Sequence, residues 1–188
     1  MEKKISLRRV YKDDPTVNYL EKINKEAFPQ NEYLSMEYMY GFMDKSQNSE
    51  ILAIREDGNP VGYFSLIRYE KCLFIFYFAI DKKYRGKGIG TKALKALKER
   101  YYDCQIVVEF ESVDVECDNL EIRKRRRDFY MRNGFVPSGL CLAYMQEEFT
   151  LGFIPTDDKP DFDGETFKNC CLDIQKTAPE FHPKMYNR

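Results

Sequence analysis

Between Tyr84 and Leu94 the chain reads Tyr-Arg-Gly-Lys-Gly-Ile-Gly-Thr-Lys-Ala-Leu. A nine-residue apolar run, Cys72 to Ile80, precedes it, and a helical pattern of Ile89, Ala93, Ala96 and Leu97 starts within it. A buried strand therefore feeds a glycine-rich turn, and the turn feeds a helix N-terminus. Unbonded N–H groups and the positive end of a helix dipole converge there. Such a point binds anions, so a phosphorylated ligand is expected. The spacing excludes two common phosphate loops. No window supplies Gly-x-x-x-x-Gly-Lys-Ser/Thr. A dinucleotide fingerprint built on Gly86 and Gly88 needs glycine at 91, where Thr91 stands. What remains is Arg85-x-x-Gly88-x-Gly90, a pattern that a ligand-free strand-to-helix turn would also satisfy.

A second constellation follows about forty residues later, Asp128-Phe129-Tyr130-Met131-Arg132-Asn133-Gly134-Phe135. It reads as a helix end, capped by Gly134 and leading into a strand. The ordered pair, Arg-x-x-Gly-x-Gly after a buried strand and then Phe-Tyr-x-x-x-Gly-Phe, resembles the GNAT superfamily of acyl-CoA-dependent N-acyltransferases. The resemblance covers roughly residues 4–150.

The resemblance implies acetyl-CoA, or another acyl-CoA, as donor, with its diphosphate on the N–H groups of Arg85, Gly86, Lys87, Gly88, Ile89, Gly90 and Thr91. Gly88 and Gly90 would admit a close approach or a positive φ. Arg85 and Lys87 would add charge or form a solvated rim. It also implies that pantetheine pairs with the backbone near Phe78, Ala79 and Ile80, where an N–H polarises the thioester carbonyl. Tyr130 matches the family tyrosine that serves the departing thiolate. A phenol near pKa 10 surrendering its proton to a thiol near 8.5 goes uphill by about 2 kcal/mol, so hydrogen bonding is the safer role unless the phenol is acidified. Arg126 and Arg127 stand within reach of Tyr130 on the same helix and could stabilise the thiolate or lower the Tyr130 pKa.

The acceptor implied is an amine, which at pH 7 costs about 4.6 kcal/mol to deprotonate from a pKa near 10.4. A carboxylate base is the usual remedy. No carboxylate precedes Asp81 on the strand 73–81, where many relatives keep theirs. Glu109 is the first candidate, with Glu111 and Glu32 behind it; charges at a strand end in water are the alternative. Arg123 stands where many relatives place a coenzyme-contacting Asn. The run Arg123 to Arg127 would also suit nucleic acid, but Glu109, Glu111, Asp114, Glu116, Asp118 and Glu121 can neutralise it.

The elements that must position these residues follow from pattern. Strands are expected at 5–10, 51–55, 61–68, 72–81, 105–110, 139–145 and 149–154, and helices at 15–27, about 36–43, 88–101 and 120–133. A short helix at 167–174 is weaker. The fold class expected is α/β (α+β): antiparallel N-terminal strands, a parallel pair 73–81 and 105–111, and about four flanking helices. Residues 1–154 form the acyltransferase domain and 155–188 an extension packed on it. The stripe Met36, Met39, Tyr40 and Met43 reads as core, with a substrate wall as the alternative.

Composition narrows the class. The chain has 188 residues, 43% apolar, 15% aromatic, with net charge −1. That is one domain's worth of core, and no global charge favours DNA or a membrane. Nine apolar residues are too few to span a bilayer, and no signal peptide is visible. The six cysteines lack framework spacing, so free thiols and a cytoplasmic location are expected. No metal is expected: His182 is the single histidine, and the acidic stretch 157–164 puts Lys159 and Cys170 where a calcium loop needs ligands.

The reading is a cytoplasmic N-acetyltransferase acting through a ternary complex on a small-molecule or peptide amine. Its rival is an acyl-CoA-binding module of the same fold with little turnover. Tyr33, Tyr38, Tyr40 and the acid-rich 109–121 segment point to a cationic, partly apolar acceptor. The oligomeric state stays open, a homodimer included.

Overall fold

The computed structural model describes residues 3–30, 32–45, 48–113, 117–144, 147–178 and 181–187. The strands are β1 (Ile5–Val10), β2 (Ser49–Glu56), β3 (Asn59–Tyr69), β4 (Cys72–Ile80), β5 (Gln105–Glu111), β6 (Val136–Tyr144), β7 (Glu147–Phe153) and β8 (Lys184–Asn187). The helices are α1 (Thr16–Ala27), α2 (Met36–Lys45), α3 (Ile89–Arg100), α4 (Leu120–Arg132) and α5 (Gly164–Thr177). Strand order is β1-β2-β3-β4-β5-β7-β6-β8, a mixed sheet in which β4 and β5 are the parallel pair. The expected α/β class, with its antiparallel N-terminal strands and parallel pair, is therefore what the chain adopts. About four helices become five among the described residues, because 167–174 lies within a full helix. Strand β8 carried no signal. It has four residues and exists through pairing with β6, where Leu142 faces Met185.

The chain divides into two compact units. The first comprises Met1–Ile67 with Ile75–Tyr102, the second Arg68–Phe74 with Asp103–Arg188. In the first unit, β2 and β3 form a hairpin whose turn needs positive φ at Asp57 and Gly58. Helix α1 buries Leu20 and Ile23, and α2 buries Met36, Met39 and Tyr40, against Val10, Ile51, Ala53, Tyr63 and Tyr77. The Met/Tyr stripe is core, with Met43 partly buried against it. Tyr40 also leaves the expected acceptor surface, since its buried hydroxyl donates to the Val10 carbonyl at 3.0 Å. Asn24 is fully buried because both ends of its amide are satisfied. Its Nδ2 donates to Leu34 O at 2.7 Å and its Oδ1 accepts from the Tyr63 hydroxyl at 2.6 Å.

In the second unit, β5 pairs β7, and β7 pairs β6. Register sets the faces. Glu109 stands opposite Leu151 and Glu111 opposite Phe149, while Leu142 stands opposite Phe149 and Tyr144 opposite Glu147. Those residues share one face; Val108 and Phe110 occupy the other. Helix α5 starts at the cap Asp163, which accepts from Thr166 N–H at 3.0 Å, and buries Phe167, Cys170, Cys171 and Ile174. The Phe167 ring meets Phe74 edge-on at 5.4 Å. No described helix is long and apolar enough to cross a membrane.

One glycine on β3 is dictated by its neighbour. A Cβ on Gly62 would lie 2.4 Å from the Ala79 carbonyl oxygen and 3.1 Å from Ile80 Cα, both backbone atoms that cannot yield cheaply. Gly62→Ala is therefore expected to lower unfolding free energy by about 2 kcal/mol in urea titrations; an unchanged midpoint would show that β4 shifts without cost.

Candidate functional site

Strand β4 ends at Ile80, and the chain is turned by Asp81. Its carboxylate accepts from Lys83 N–H at 2.9 Å and from the Tyr19 hydroxyl, and its carbonyl accepts from Tyr84 N–H at 2.8 Å. These bonds fold Lys82–Tyr84 into one 3-10 turn. Burial works to raise the Asp81 pKa, but the bonds from Tyr19 and Lys83 outweigh it and hold the carboxyl below its ordinary range. Burial, reinforced by Asp81, pushes the Tyr19 phenol well up.

Beyond this turn Gly86 and Gly88 both take φ near +73°. Gly88 is the N-cap of α3, and the first intrahelical bond runs from Lys92 N–H to Gly88 O at 3.1 Å. The N–H groups of Gly88, Ile89, Gly90 and Thr91 thus precede any intrahelical acceptor. The second left-handed glycine is Gly86, not Gly90, which sits in the first turn of the helix. Arg85 and Lys87 brace the loop from outside. Arg85 Nε donates to Ile80 O at 2.8 Å, and Lys87 Nζ donates to Lys83 O at 2.8 Å and sits 5.5 Å from the Tyr84 ring centroid. Ile89, Ala93, Leu94 and Leu97 anchor the helix in the core. Phe78 stacks on Phe64 at 4.4 Å, while Ala79 is buried beside Gly62. The loop and residues 78–80 thus belong to one unit. A diphosphate fits the cradle, because it offers consecutive N–H donors at a dipole's positive end with no Cβ at its two left-handed positions.

In the second unit Tyr130 lies on α4, 6% exposed, stacked on Phe110 at 5.9 Å and edge-on to Phe135 at 5.3 Å. The helix closes as its sequence foretells. Gly134 takes φ +88°, and Phe135 N–H returns to Tyr130 O at 3.2 Å. Burial raises the Tyr130 pKa to about 12; Arg126 pulls it down, and Glu111 and Glu109 push it up. Arg126 thus acts on the phenol in the expected direction, but burial outweighs it and the phenol is not acidified; Arg127 has no such effect. Arg127 is turned to Asp128 at 3.0 Å, and Arg126 is paired with Glu111.

Glu109 is half-buried and accepts a hydrogen bond from the Tyr144 hydroxyl. It shares the phenol's electrostatic surroundings, yet it lies on the other face of β5 from Phe110 and Tyr130. Glu111 is buried and ion-paired with Arg126. Glu32 lies in the first unit, where its carbonyl accepts from the Tyr77 hydroxyl at 2.5 Å. Asp114 and Glu116 lie outside the described residues.

The basic run is largely spent on the fold. Arg123 is 7% exposed and donates to Asn119 Oδ1 at 2.8 Å, Ser112 O at 3.3 Å and Glu147 Oε2 at 3.1 Å. Its position therefore supplies neither a coenzyme contact nor a nucleic-acid patch. Lys124 pairs with Glu121 at 3.0 Å. Asp81, Tyr19, Gly62 and Tyr144 were missed by sequence reasoning. An Asp two residues before the donating N–H of a turn is a readable cap signal; the partners from distant segments carry none. Among the described residues no group of three or more His, Cys, Asp or Glu could hold a metal ion.

The acetyltransferase (GNAT) family model matches residues 12–135. This chain belongs to that family. Over 119 residues it is 30% identical to the protein YjbC of Bacillus subtilis (strain 168), named for an acetyltransferase; the match covers 63% of this chain and 57% of that protein. The chain thus spans little more than half the length of this curated relative. A Bacteroides thetaiotaomicron protein assigned to the GNAT acetyltransferases superposes with TM-score 0.71 at 21% identity, covering 94% of this chain and 99% of that one. A GNAT family acetyltransferase from Elizabethkingia anophelis, solved with acetyl-CoA bound, gives TM-score 0.55 at 13% identity, covering 80% and 97%. These likenesses bear on the fold.

The Asp81 carboxyl yields a stability test. Its folded pKa lies below the unfolded value, so its stabilisation is present above about pH 4 and is lost as pH falls through the folded pKa. Asp81→Asn should be less stable than the parent in thermal unfolding at pH 7, and the gap should narrow progressively as pH falls below about 4. A gap that stays the same at every pH would refute the ionised cap.

Proposed function

We propose that this protein transfers an acetyl group from acetyl-CoA to the amine of a small molecule or peptide by direct attack. The observation that carries this reading is the row of N–H groups from Gly88 to Thr91, opened by left-handed turns at Gly86 and Gly88. The diphosphate takes those donors along the segment from Arg85 to Thr91, with Lys87 adding charge. The backbone at Phe78, Ala79 and Ile80 receives pantetheine, and an N–H there polarises the thioester carbonyl. An acetyl-CoA-bound family member supports the choice of donor. Six free thiols suit a reducing compartment, consistent with the cytoplasm.

In the reaction the amine nitrogen forms a bond to the thioester carbon, the C–S bond breaks, and the sulfur leaves as thiolate. The proton shed by nitrogen goes to Glu109. Tyr130 stabilises the thiolate by donating a hydrogen bond while keeping its proton. At a pKa of about 12, full transfer to a thiol near 8.5 would cost about 5 kcal/mol.

A second reading, an acyl-CoA-binding module with little turnover, is favoured by the engagement of both strand carboxylates, Glu109 by Tyr144 and Glu111 by Arg126. Thiol release from acetyl-CoA with an amine panel separates the two. Binding without turnover on any amine selects the module.

Calorimetric titration with acetyl-CoA should release or absorb heat, and binding should slow deuterium uptake across 85–91. Gly88→Ala, forced to hold φ near +73° with a side chain, should weaken Kd about tenfold. Neither heat nor protection would end this reading. Tyr130→Phe should slow the chemical step in single-turnover kinetics about tenfold to a hundredfold, and an unchanged step would remove the tyrosine from the mechanism.

A further inference from the structure

Tyr144 connects the carboxylate proposed as base to the end of the chain. Its hydroxyl donates to Glu109 Oε1. Its ring stacks on Phe149 at 4.8 Å with 28° between planes, and Phe181 meets it edge-on at 5.0 Å and 72°. The register allows this arrangement, because Tyr144, Phe149 and Glu109 point to one face of adjacent strands.

Phe181 is held in place from both sides. Before it, Ala178 N–H closes α5 on Ile174 O at 2.8 Å, and Phe181 N–H returns to Ala178 O at 2.9 Å. After it, β8 pairs with β6 at Ala143↔Lys184 and Leu142↔Met185, beside Tyr144 itself. Phe181 is buried, so its ring is a packed wall and not a surface group.

We infer that Tyr144, seated by Phe181 of the C-terminal segment, is a positioning residue that aims and ionises the Glu109 carboxylate. The inference rests on the reading of Glu109 as base. A neutral hydroxyl donating to a carboxylate favours the charged form and lowers its pKa. Other titratable groups among the described residues also lie around Glu109. Glu111, on its own strand, opposes ionisation and is matched by Arg126 of α4. Tyr130 of α4 and Cys171 of α5 interact electrostatically with Glu109, and burial pushes both well above neutrality, so both stay uncharged. Glu147 of β7 is paired with Arg123 at 3.1 Å. Residues 155–188 thereby contribute to the chemistry by holding Tyr144 in place.

The test uses the full chain with Tyr144→Phe, which keeps the ring, and Phe181→Leu, which keeps apolar volume. Glutamate carboxyl carbons are titrated by carbon-13 NMR, with Glu109→Gln identifying the Glu109 signal. Thiol release from acetyl-CoA is followed between pH 5 and 9 with the best amine from the panel. Tyr144→Phe should raise the Glu109 pKa by about one unit and move the acid limb of kcat/KM upward equally, leaving acetyl-CoA binding unchanged. Phe181→Leu should move both in the same direction by less. A Glu109 pKa unmoved in Tyr144→Phe overturns the inference, whatever Glu109→Gln does to the rate. If the pKa moves while Glu109→Gln turns over like the parent, the base reading fails and the Tyr144 tie stands.

Discussion

Four backbone N–H groups at the start of α3 have no intrahelical acceptor, and the chain enters them through two left-handed residues. Gly86 and Gly88 supply those conformations, at a cost of roughly 1–2 kcal/mol each that a side chain would add. The surroundings serve that constraint. Asp81 starts the turn, Tyr19 of α1 locks the carboxylate, and Arg85 and Lys87 fold back onto backbone carbonyls. Two cations that look like anion ligands in a motif act here first as braces. In the coenzyme site we propose, amide dipoles and helix polarity, which need no side-chain ordering at the moment of binding, carry most of the attraction, with Lys87 adding charge.

In the second unit burial decides what a phenol can do. Tyr130 sits among Phe110, Phe129 and Phe135, and its pKa rises to about 12 although a guanidinium lies nearby. Desolvation outweighs the charge because Arg126 already has a buried partner in Glu111. The hydroxyl is left as a hydrogen-bond donor with a tightly held proton. That suits stabilisation of an anion and opposes outright proton delivery.

Charge pairing also reassigns the basic run on α4. Five consecutive cations look like a surface for polyanions until their partners are counted against burial. Arg123 is enclosed by Asn119, Ser112 and Glu147. Removing one partner would strand a buried charge, which costs far more than an exposed pair contributes. The helix is held to the end of β5 by this contact and by Arg126–Glu111.

Much of the scaffold was written in local pattern. The apolar run of β4, the glycine spacing of the loop, the periodicity of α3 and the glycine cap of α4 all act within a few residues, so they were legible and their elements lie where expected. The left-handed Gly86 was harder, since three glycines compete for two special conformations and only the path of the backbone chooses. Register decided the rest. Alternation put Glu109 and Glu111 on one face, but not which face, nor that Tyr144 would reach one and Arg126 the other. Strand β8 and Phe181 exist as they do through contacts with β6, roughly forty residues away in sequence. Local pattern alone dictated a strand, a glycine-rich turn and a helix, because hydrogen bonding and sterics there are local. Which carboxylate meets a tyrosine and which an arginine, which cation is spent and which phenol keeps its proton were decided by tertiary contacts, because desolvation and pairing depend on neighbours the chain brings from afar.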